Sequence, residues 1–184
     1  MNRPARLLTI GHSTLPAAAF LAMLTAQRVE LVADVRRFPV SRRHPQFNRQ
    51  ALAEMLASHG FAYLHFAELG GRREPKPDSP NTAWREAGFR GYADYMETAE
   101  FCQGIARLLE AAQLRSTAIM CAEKSWRNCH RGLIADHLRA SAIEVIHILD
   151  AAATESHPWT APARLVDGRL TYAAPGIDQQ QLLL

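Results

Sequence analysis

Two cysteines, a glutamate, a histidine and two arginines stand close together after an apolar run in the second half of the chain. The stretch reads IMCAEKSWRNCHRG from Ile119 to Gly132 and contains Cys121, Glu123, Cys129 and His130. Thiols and imidazoles bind metals, thiolates attack electrophiles, and carboxylates move protons. The residue types therefore leave three chemistries open for this stretch.

A metal site would use Cys121, Cys129 and His130, with Glu123 or His12 as a fourth ligand. Zinc accepts these ligand types, but its cysteines usually come as C-x₂₋₄-C pairs. Here the cysteines are eight positions apart, and the adjacent Cys129 and His130 are expected to have difficulty facing one ion. The spacing therefore predicts no metal, and the sequence indicates no other cofactor.

In the second chemistry, Cys121 is a covalent nucleophile. The spacing from Cys121 to Arg127 is the C-x₅-R of cysteine phosphatases, and rhodanese-like sulfur transferases use a related loop. The match is poor, because Glu123 would sit inside the phosphate cradle and the loop lacks the glycines that let backbone N–H groups converge. Cys121 is still a candidate thiolate if His130, Arg131 or the following helix N-terminus lowers its pKa.

In the third chemistry, Glu123 is a general acid or base and the cysteines line its pocket. Burial at the end of a strand raises the pKa of a carboxyl group, which suits proton transfer. Asp34 or His12 is the predicted complementary group. The opposing interpretation is structural: the Cys-Ala-Glu and Cys-His-Arg elements form a buried hydrogen-bonding network. The sequence does not decide among these interpretations.

A basic segment, DVRRFPVSRRHPQFNR from Asp34 to Arg49, carries five arginines and one histidine against a single acid. Such a run is either a solvated loop or an anion site, and arginine suits bidentate contacts with phosphate or carboxylate oxygens. The turn GHST can add backbone N–H groups at the start of a helix. The residues predicted to bind an anionic substrate are Gly11, Ser13, Arg36, Ser41, Arg42, Tyr92, Cys129, His130 and Arg131.

Short apolar runs alternate with amphipathic helical patterns along the chain. The predicted strands are Leu7–Ile10, Leu31–Val35, Ala62–Phe66, Ser116–Cys121 and Glu144–Leu149. This alternation predicts a three-layer α/β fold, with a mainly parallel, Rossmann-like five-stranded sheet and helices on both faces. Asn48 and Thr98 are predicted to cap the helices that follow them, and Cys102 is predicted to lie in the core.

The site is predicted at the carboxyl edge of this sheet. Polar residues follow three strands there, as GHS after the first, DVR at the second and CAE at the fourth. Loops and helix N-termini converge at this edge of an open parallel sheet, so the three groups are expected to meet. The Gly- and Pro-rich segment 68–92 is either a lid or binding loop over the site or a disordered insertion.

The chain is expected to form one α/β domain over residues 1–184, with its core at about 7–150 and an appended C-terminal hairpin at about 163–172. Its net charge of +3 is only a weak argument for nucleic acid. No apolar run approaches the roughly 20 residues of a membrane span and there is no signal-peptide core, so no membrane association, a cytoplasmic location and reduced thiols are expected. The absence of a Walker A motif and of G-x-G-x-x-G disfavours ATPase and NAD-dependent activities.

In this order the motifs TIGHS, DVRRFPVSRR, LGG, FRGYADYM, MCAEKSWRNCHR, VIHIL and RLVDGRLTY closely resemble those of the bacterial and archaeal family known as domain of unknown function 488. The resemblance runs from Thr9 to about Tyr172. It implies a compact α/β domain and, because the family has no established activity, it implies no reaction. The matching residues are Gly11, His12, Ser13, Asp34, Arg36, Pro39, Ser41, Arg42, Gly70, Gly71, Tyr92, Cys121, Glu123, Cys129, His130 and Arg131.

These observations favour an enzyme of the hydrolase or transferase class that acts on an anionic small molecule or a nucleic acid through Glu123, Cys121 or both. One alternative is a non-catalytic module that grips nucleic-acid phosphates through its arginines. Another is a cysteine-based phosphatase or sulfurtransferase. The sequence makes no prediction of the substrate or the oligomeric state.

Overall fold

The central element of the fold is a six-stranded sheet, seen in a computed structural model that describes residues 6–175. The strands are Arg6–Gly11 (β1), Leu31–Asp34 (β2), Ala62–His65 (β3), Thr117–Cys121 (β4), Glu144–Ile148 (β5) and Thr154–Ser156 (β6). Their order is β3-β2-β4-β1-β5-β6, and the first five are parallel. The predicted α/β class with a mainly parallel sheet is confirmed.

The sheet differs from the prediction in two ways. β6 adds an antiparallel strand at one edge, between the predicted core and the predicted hairpin, where no strand was predicted. It has three residues and no apolar run, so it leaves no hydrophobic signal in the sequence. In addition, β4 lies between β2 and β1, whereas the dinucleotide-binding Rossmann order places the first two strands side by side. This insertion brings the end of β4 directly beside the ends of β1 and β2.

Helices cover both faces of the sheet, as predicted. They are Ala17–Ala26 (α1), Arg49–Ser58 (α2), Ala87–Tyr95 (α3), Ala99–Leu114 (α4) and Arg131–Ala140 (α5). On one face, α1 and α2 bury Phe20 and Leu52 against the sheet. On the other face, α3, α4 and α5 bury Tyr92, Phe101 and Leu133. None of the described helices combines the length and the apolar character that a membrane crossing requires.

Three local predictions about the helices have different outcomes. Thr98 caps α4 as predicted, since its hydroxyl accepts a hydrogen bond from the Phe101 N–H at 3.3 Å. The cap predicted for α2 is wrong, because the Asn48 side chain instead accepts from the Ser41 N–H at 2.6 Å. That bond ties the basic segment to the start of α2. Cys102, predicted in the core, is exposed, because it lies outside the buried stripe of α4.

The predicted C-terminal hairpin is confirmed. Arg164–Val166 (β7) pairs with Arg169–Thr171 (β8). The two residues between them have φ values of 49° and 74°, as a type I′ turn requires. Tyr172 follows β8, is buried, and donates a hydrogen bond from its hydroxyl to Asp136 of α5 at 2.9 Å. The hairpin is therefore anchored to the main domain.

One buried carboxylate organises the Gly- and Pro-rich segment before α3. Asp94 accepts hydrogen bonds from the Lys76 N–H (2.8 Å), the Ser79 hydroxyl (2.6 Å) and the Asn81 amide (2.8 Å). Burial by itself would raise the pKa of Asp94, but these three bonds outweigh it and the pKa lies below its ordinary value. The segment is thus held against α3 at three points.

We expect Asp94→Ala to lower the free energy of unfolding by about 2 kcal/mol, because it leaves three donors without their acceptor. The same substitution should make residues 74–82 sensitive to limited proteolysis. Asp78→Ala is the matched control, since Asp78 is an exposed acid of the same segment. Urea unfolding measures the first effect, and equal stability of the two variants would contradict it.

The contribution of Asp94 to the free energy of unfolding should depend on pH. Its folded-state pKa lies below the unfolded value of about 3.9, so its stabilisation is present in full above that value and is lost as the pH falls through the folded-state pKa. The stability difference between the wild type and Asp94→Ala should therefore shrink only in strong acid. A difference that already vanishes near neutral pH would show that the carboxylate form is not the stabilising one.

Candidate functional site

An open cavity of about 560 Å³ lies at the carboxyl edge of the sheet, where the ends of β1, β2 and β4 meet. The predicted site residues that line it are His12, Ser13, Arg36, Ser41, Tyr92, Cys121, Glu123, Cys129 and His130. The others, Gly11, Asp34, Arg42 and Arg131, do not line it. The GHS, DVR and CAE groups therefore do come together at one edge.

The backbone joins the GHS turn to the CAE turn beyond the end of the β1–β4 ladder. The His12 N–H donates to the Cys121 carbonyl at 3.0 Å, and the Ser13 N–H donates to the next carbonyl at 2.8 Å. Gly11 permits this approach, because a Cβ atom there would overlap the Glu123 carbonyl and approach the Arg131 guanidinium to 2.8 Å. Gly11 is thus a spacing residue under the site and not a ligand-binding one.

Several polar groups surround the sulfur atom of Cys129. The Arg131 Nε–H donates to Cys129 Sγ at 3.4 Å, and His130 Nδ1 lies 3.7 Å from it. The sulfur of Cys121 lies within 4.8 Å of Cys129 Sγ and of a His130 ring nitrogen. Burial alone would raise the pKa of Cys129, but the Cys121 hydrogen bond and the charges of His130 and Arg131 reverse that effect. The pKa of Cys129 therefore lies well below the ordinary value of a thiol.

Cys121 has the opposite character. Its hydrogen bond to Cys129 retains its proton, and burial disfavours its charged form, so its pKa lies well above the ordinary value. The two cysteines thus differ in direction: the environment of Cys121 favours the thiol, and that of Cys129 favours the thiolate. The nucleophile predicted at Cys121 is better matched by the environment of Cys129.

The ring of His130 is fixed from both sides. Its Nε2 lies 3.2 Å from the Val35 carbonyl, which can only accept, so Nε2 carries a proton. The Tyr92 ring packs against it with centroids 5.0 Å apart. Gly71 leaves room in front of Nδ1, since a Cβ atom there would stand 2.8 Å from that nitrogen. His130 therefore turns Nδ1 toward Cys129.

Arg36 is held at the cavity wall by groups that were themselves predicted to be catalytic. Its guanidinium donates to both Asp34 oxygens, at 2.9 and 2.6 Å, and its Nη1 donates to His12 Nε2 at 3.1 Å. Tyr63 donates to Asp34 as well, at 2.8 Å. Asp34 is completely buried, and its carboxylate is occupied by these donors. Asp34 thus acts beneath the cavity, on Arg36.

His12 is also occupied by neighbours. Its Nδ1–H donates to the Ser13 carbonyl at 3.0 Å, and its ring stacks on Phe47 with centroids 4.1 Å apart. Burial, and then the charge of Arg36, lower the pKa of His12 to about 4, so the ring is neutral. With one nitrogen facing Arg36 and the other bonded to the backbone, His12 has no free position for proton transfer.

Glu123 stands at the rim of the cavity and is exposed. The burial from which a general acid–base role was predicted is therefore missing, although its carboxylate makes no hydrogen bond or ion pair with any other residue from 6 to 175. Arg42 is exposed outside the cavity, whereas Arg131 is buried behind it. Among the predicted anion contacts, Arg36 is the arginine that faces the cavity.

The residues that form the mouth of the cavity are Arg37, Phe38, Val40, His44, Arg72 and Phe89. Sequence reasoning included Arg37 only as one of the arginines of the binding alternative, and it missed the other five. Phe38 and Val40 are 63% and 75% exposed, and Arg37 places its guanidinium 5.4 Å from the Phe38 ring centre. The apolar residues between the two arginine pairs of RRFPVSRR could have indicated this mouth, since an exposed aromatic side chain in a basic segment is typical of ligand contact.

Three residues have the arrangement to hold a metal ion. Donor atoms of Cys121, Cys129 and His130 lie within 4.8 Å of one another. The expected difficulty for adjacent Cys129 and His130 in facing one ion is therefore not present in the structure. The chain is extended at Cys129 (φ −138°, ψ 144°) and helical at His130 (φ −57°, ψ −13°), which turns both side chains to the same place. The guanidinium of Arg131 at Cys129 Sγ opposes a cation there.

The chain belongs to the family described as domain of unknown function DUF488, which matches it over residues 16–138. The match runs from the residue before α1 to α5 and includes the basic segment and both cysteines of the site. The GHS turn precedes the matched region and the C-terminal hairpin follows it. No curated protein and no solved structure matches the chain. The family defines a class of α/β domain without defining a reaction.

We expect the protein purified without chelator to carry less than one zinc per chain, because Arg131 already neutralises the Cys129 thiolate. Elemental analysis of the wild type and of Cys121→Ser measures this. Cys102→Ser, which removes the exposed thiol of α4, is the control. One tightly held zinc per chain that disappears in Cys121→Ser and persists in Cys102→Ser would contradict the expectation.

Proposed function

We propose that the protein is a cysteine-dependent group-transfer enzyme, of the hydrolase or transferase class, that acts on an anionic substrate with Cys129 as its nucleophile. The observation that carries the proposal is the surroundings of one sulfur atom in a cavity wall: the Arg131 guanidinium donates to Cys129 Sγ, and the His130 ring and the Cys121 sulfur lie close to it. The thiolate is the nucleophilic form of cysteine, and these surroundings favour it. Packing alone gives no reason for a buried thiolate.

The proposed reaction has two steps. Cys129 Sγ attacks an electrophilic phosphorus or carbon atom of the substrate, a bond forms to sulfur, and the leaving group departs with the electron pair of the broken bond and takes a proton from solvent. Water, or an acceptor in a transferase, then attacks the same atom and loses a proton. The Cys129 thiolate leaves with the electron pair of its bond. No oxidant or reductant is consumed.

The other site residues have separate roles in this scheme. Glu123 is assigned as the general base for the second step, because its carboxylate lines the cavity and is free of other described partners. Cys121 supports the thiolate as a hydrogen-bond donor. Arg36 binds the anionic group of the substrate, and Asp34 and His12 position Arg36. Asp34 and His12 are thus positioning residues in this proposal.

The mouth of the cavity fits a nucleotide, either free or in a single strand. Arg37 and Arg72 supply exposed cations for phosphate, and Phe38 offers an exposed ring on which a base can stack. A cavity of about 560 Å³ has the size of a small-molecule site. Phosphate and a planar apolar ring are the two features of a nucleotide that these groups recognise.

Binding without chemistry is the second candidate, favoured by the exposed cations Arg37, Arg42 and Arg43 on one segment outside the cysteine pair. Under this candidate every cysteine variant binds nucleic acid normally and no sulfur adduct forms. A cytoplasmic location suits the catalytic candidate, since the three cysteines are free thiols and the nucleophile must stay reduced.

We expect iodoacetamide at about pH 6 to alkylate Cys129 about tenfold faster than Cys102, because the reaction requires a thiolate. Cys102 is the internal reference, since it is the exposed thiol and access alone would favour it. Peptide mass spectrometry of partly labelled protein gives both rates in one sample. Faster labelling of Cys102 would contradict the assignment of Cys129 as nucleophile.

Substitutions at the mouth should weaken binding of a fluorescent single-stranded oligonucleotide. Arg37→Ala and Arg72→Ala should each reduce the affinity about fivefold and lower the slope of log affinity against log salt by about 0.7, because each removes one phosphate contact. Arg115→Ala is the control, an exposed arginine at the opposite edge of the sheet. Equal losses in all three variants would indicate general charge attraction instead of a site.

Cys129→Ser should retain oligonucleotide affinity while it abolishes turnover of any substrate found among nucleotide esters, because a hydroxyl without a base is a poor nucleophile. Glu123→Gln should also retain affinity and lower the turnover number, since the amide cannot accept a proton. Retained turnover in Cys129→Ser would favour a mechanism without a sulfur intermediate.

A further inference from the structure

Arg131 is a buried cation without a carboxylate partner among residues 6–175. It is 2% exposed, and its guanidinium donates to the carbonyl oxygens of Glu123 and Lys124, to the Thr9 hydroxyl and to Cys129 Sγ. A buried charge is costly unless an opposite charge or good hydrogen bonds compensate it. The other contacts of this guanidinium must therefore hold it in place beside Cys129 Sγ.

A buried chain of hydrogen bonds leads away from Arg131 on the side opposite to the cavity. Arg131 Nη1 lies 3.4 Å from Thr9 Oγ1, which lies 2.7 Å from His147 Nδ1. His147 Nε2 lies 2.9 Å from His157 Nδ1, and His157 Nε2 lies 3.0 Å from Asp136 Oδ1. This series of hydrogen bonds begins and ends on α5 and passes through β1, β5 and the segment after β6.

The two ends give this chain a direction. A guanidinium can only donate and a carboxylate can only accept, so with one proton on each histidine every group between them accepts on the Arg131 side and donates on the Asp136 side. Burial, and then the neighbouring His157 and Arg131, lower the pKa of His147 to about 2, so His147 is neutral with one proton. The Trp126 ring stacks on it with centroids 4.4 Å apart. One neutral arrangement of protons satisfies every link.

The acceptor end of the chain is held by the C-terminal part of the molecule. Asp136 is completely buried and also accepts from the Thr160 N–H (3.0 Å), the Thr160 hydroxyl (2.6 Å) and the Tyr172 hydroxyl (2.9 Å). Four donors thus fix one carboxylate. Docking of the hairpin and the orientation of His157 are therefore coupled at the same pair of oxygen atoms.

We propose that Thr9, His147, His157 and Asp136 are positioning residues that hold Arg131 in contact with Cys129 and thereby set the reactivity of that thiol. None of the four lines the cavity, so they act through Arg131 and not on the substrate. The proposal rests on the proposed function in one respect, that Cys129 is the reactive thiol. The Thr9 oxygen and the carbonyls of the CAE turn occupy the outer nitrogens of the guanidinium, which leaves Nε directed at Cys129 Sγ.

The other groups that face Cys129 do not replace the effect of the Arg131 charge on its thiol. They are Cys121 from β4, His130 immediately before α5 and Tyr92 from α3. Tyr92 stays neutral, since burial raises its pKa well above the ordinary value, and Cys121 is the protonated partner of the thiol pair. Arg131 is the permanent cation in contact with the sulfur, so a small displacement of it changes the fraction of thiolate.

The test compares the pH profile of Cys129 alkylation by iodoacetamide in three variants, with Cys102 as the internal reference. Thr9→Val removes the link and keeps the shape, and it should slow alkylation at about pH 6 about threefold and move the profile to higher pH. Thr9→Ser retains the hydroxyl and should restore the wild-type profile. Thr117→Val is the matched control, a buried threonine on β4 whose hydroxyl donates to the Arg115 carbonyl, and it should leave the profile unchanged.

Asp136→Asn is a fourth variant, which tests the same proposal if Thr9→Val does not fold. Its amide presents a donor where a carboxylate oxygen accepted, so it disturbs the direction of the chain at its far end. It should slow Cys129 alkylation as Thr9→Val does. An unchanged profile in whichever of the two variants folds overturns the proposal. Wild-type Cys129 that reacts no faster than Cys102 would instead defeat the proposed function, so the two failures are distinguishable.

Discussion

The contact of the buried Arg131 guanidinium with the Cys129 sulfur is the interaction on which the rest of the site depends. A thiolate and a guanidinium are each costly to bury alone, and each compensates the other. The guanidinium also binds the carbonyls of the CAE turn, so the same group fixes the end of β4 against the start of α5. Gly11 is then required beneath it, because a side chain at that point would occupy the space of the guanidinium and the turn.

The position of β4 between β1 and β2 explains why three short motifs form one site. In this order the CAE turn has the GHS turn on one side and the DVR segment on the other. Two buried arginines result, each held by a different anion. Arg36 is paired with Asp34 and faces the cavity, whereas Arg131 is directed at a sulfur atom. Arg37 and Arg72 stand exposed at the mouth, without a carboxylate partner among residues 6–175.

Much of this arrangement follows from the sequence. The β-α alternation was enough to predict the layers, and strand ends were enough to predict that GHS, DVR and CAE meet. The hydrogen-bond partners of Asp34 and His12 were not predictable, because both side chains turn toward Arg36 only once the irregular segment after β2 is folded. Similarly, Cys129 and His130 converge through a change from extended to helical backbone that spacing does not reveal. The buried histidines His147 and His157 lie ten positions apart, one in an apolar run and one in a polar segment, and nothing in the sequence pairs them.

The most direct test of the account is a pH titration of the ultraviolet absorbance of the thiolate, recorded as the difference between the wild type and Cys129→Ser. A thiolate held by Arg131 and Cys121 predicts a difference signal that is present at neutral pH and disappears only in acid, well below the ordinary thiol pKa of about 8.5. A difference signal that emerges only above that ordinary value would contradict the account, because Cys129 would then be an unactivated buried thiol.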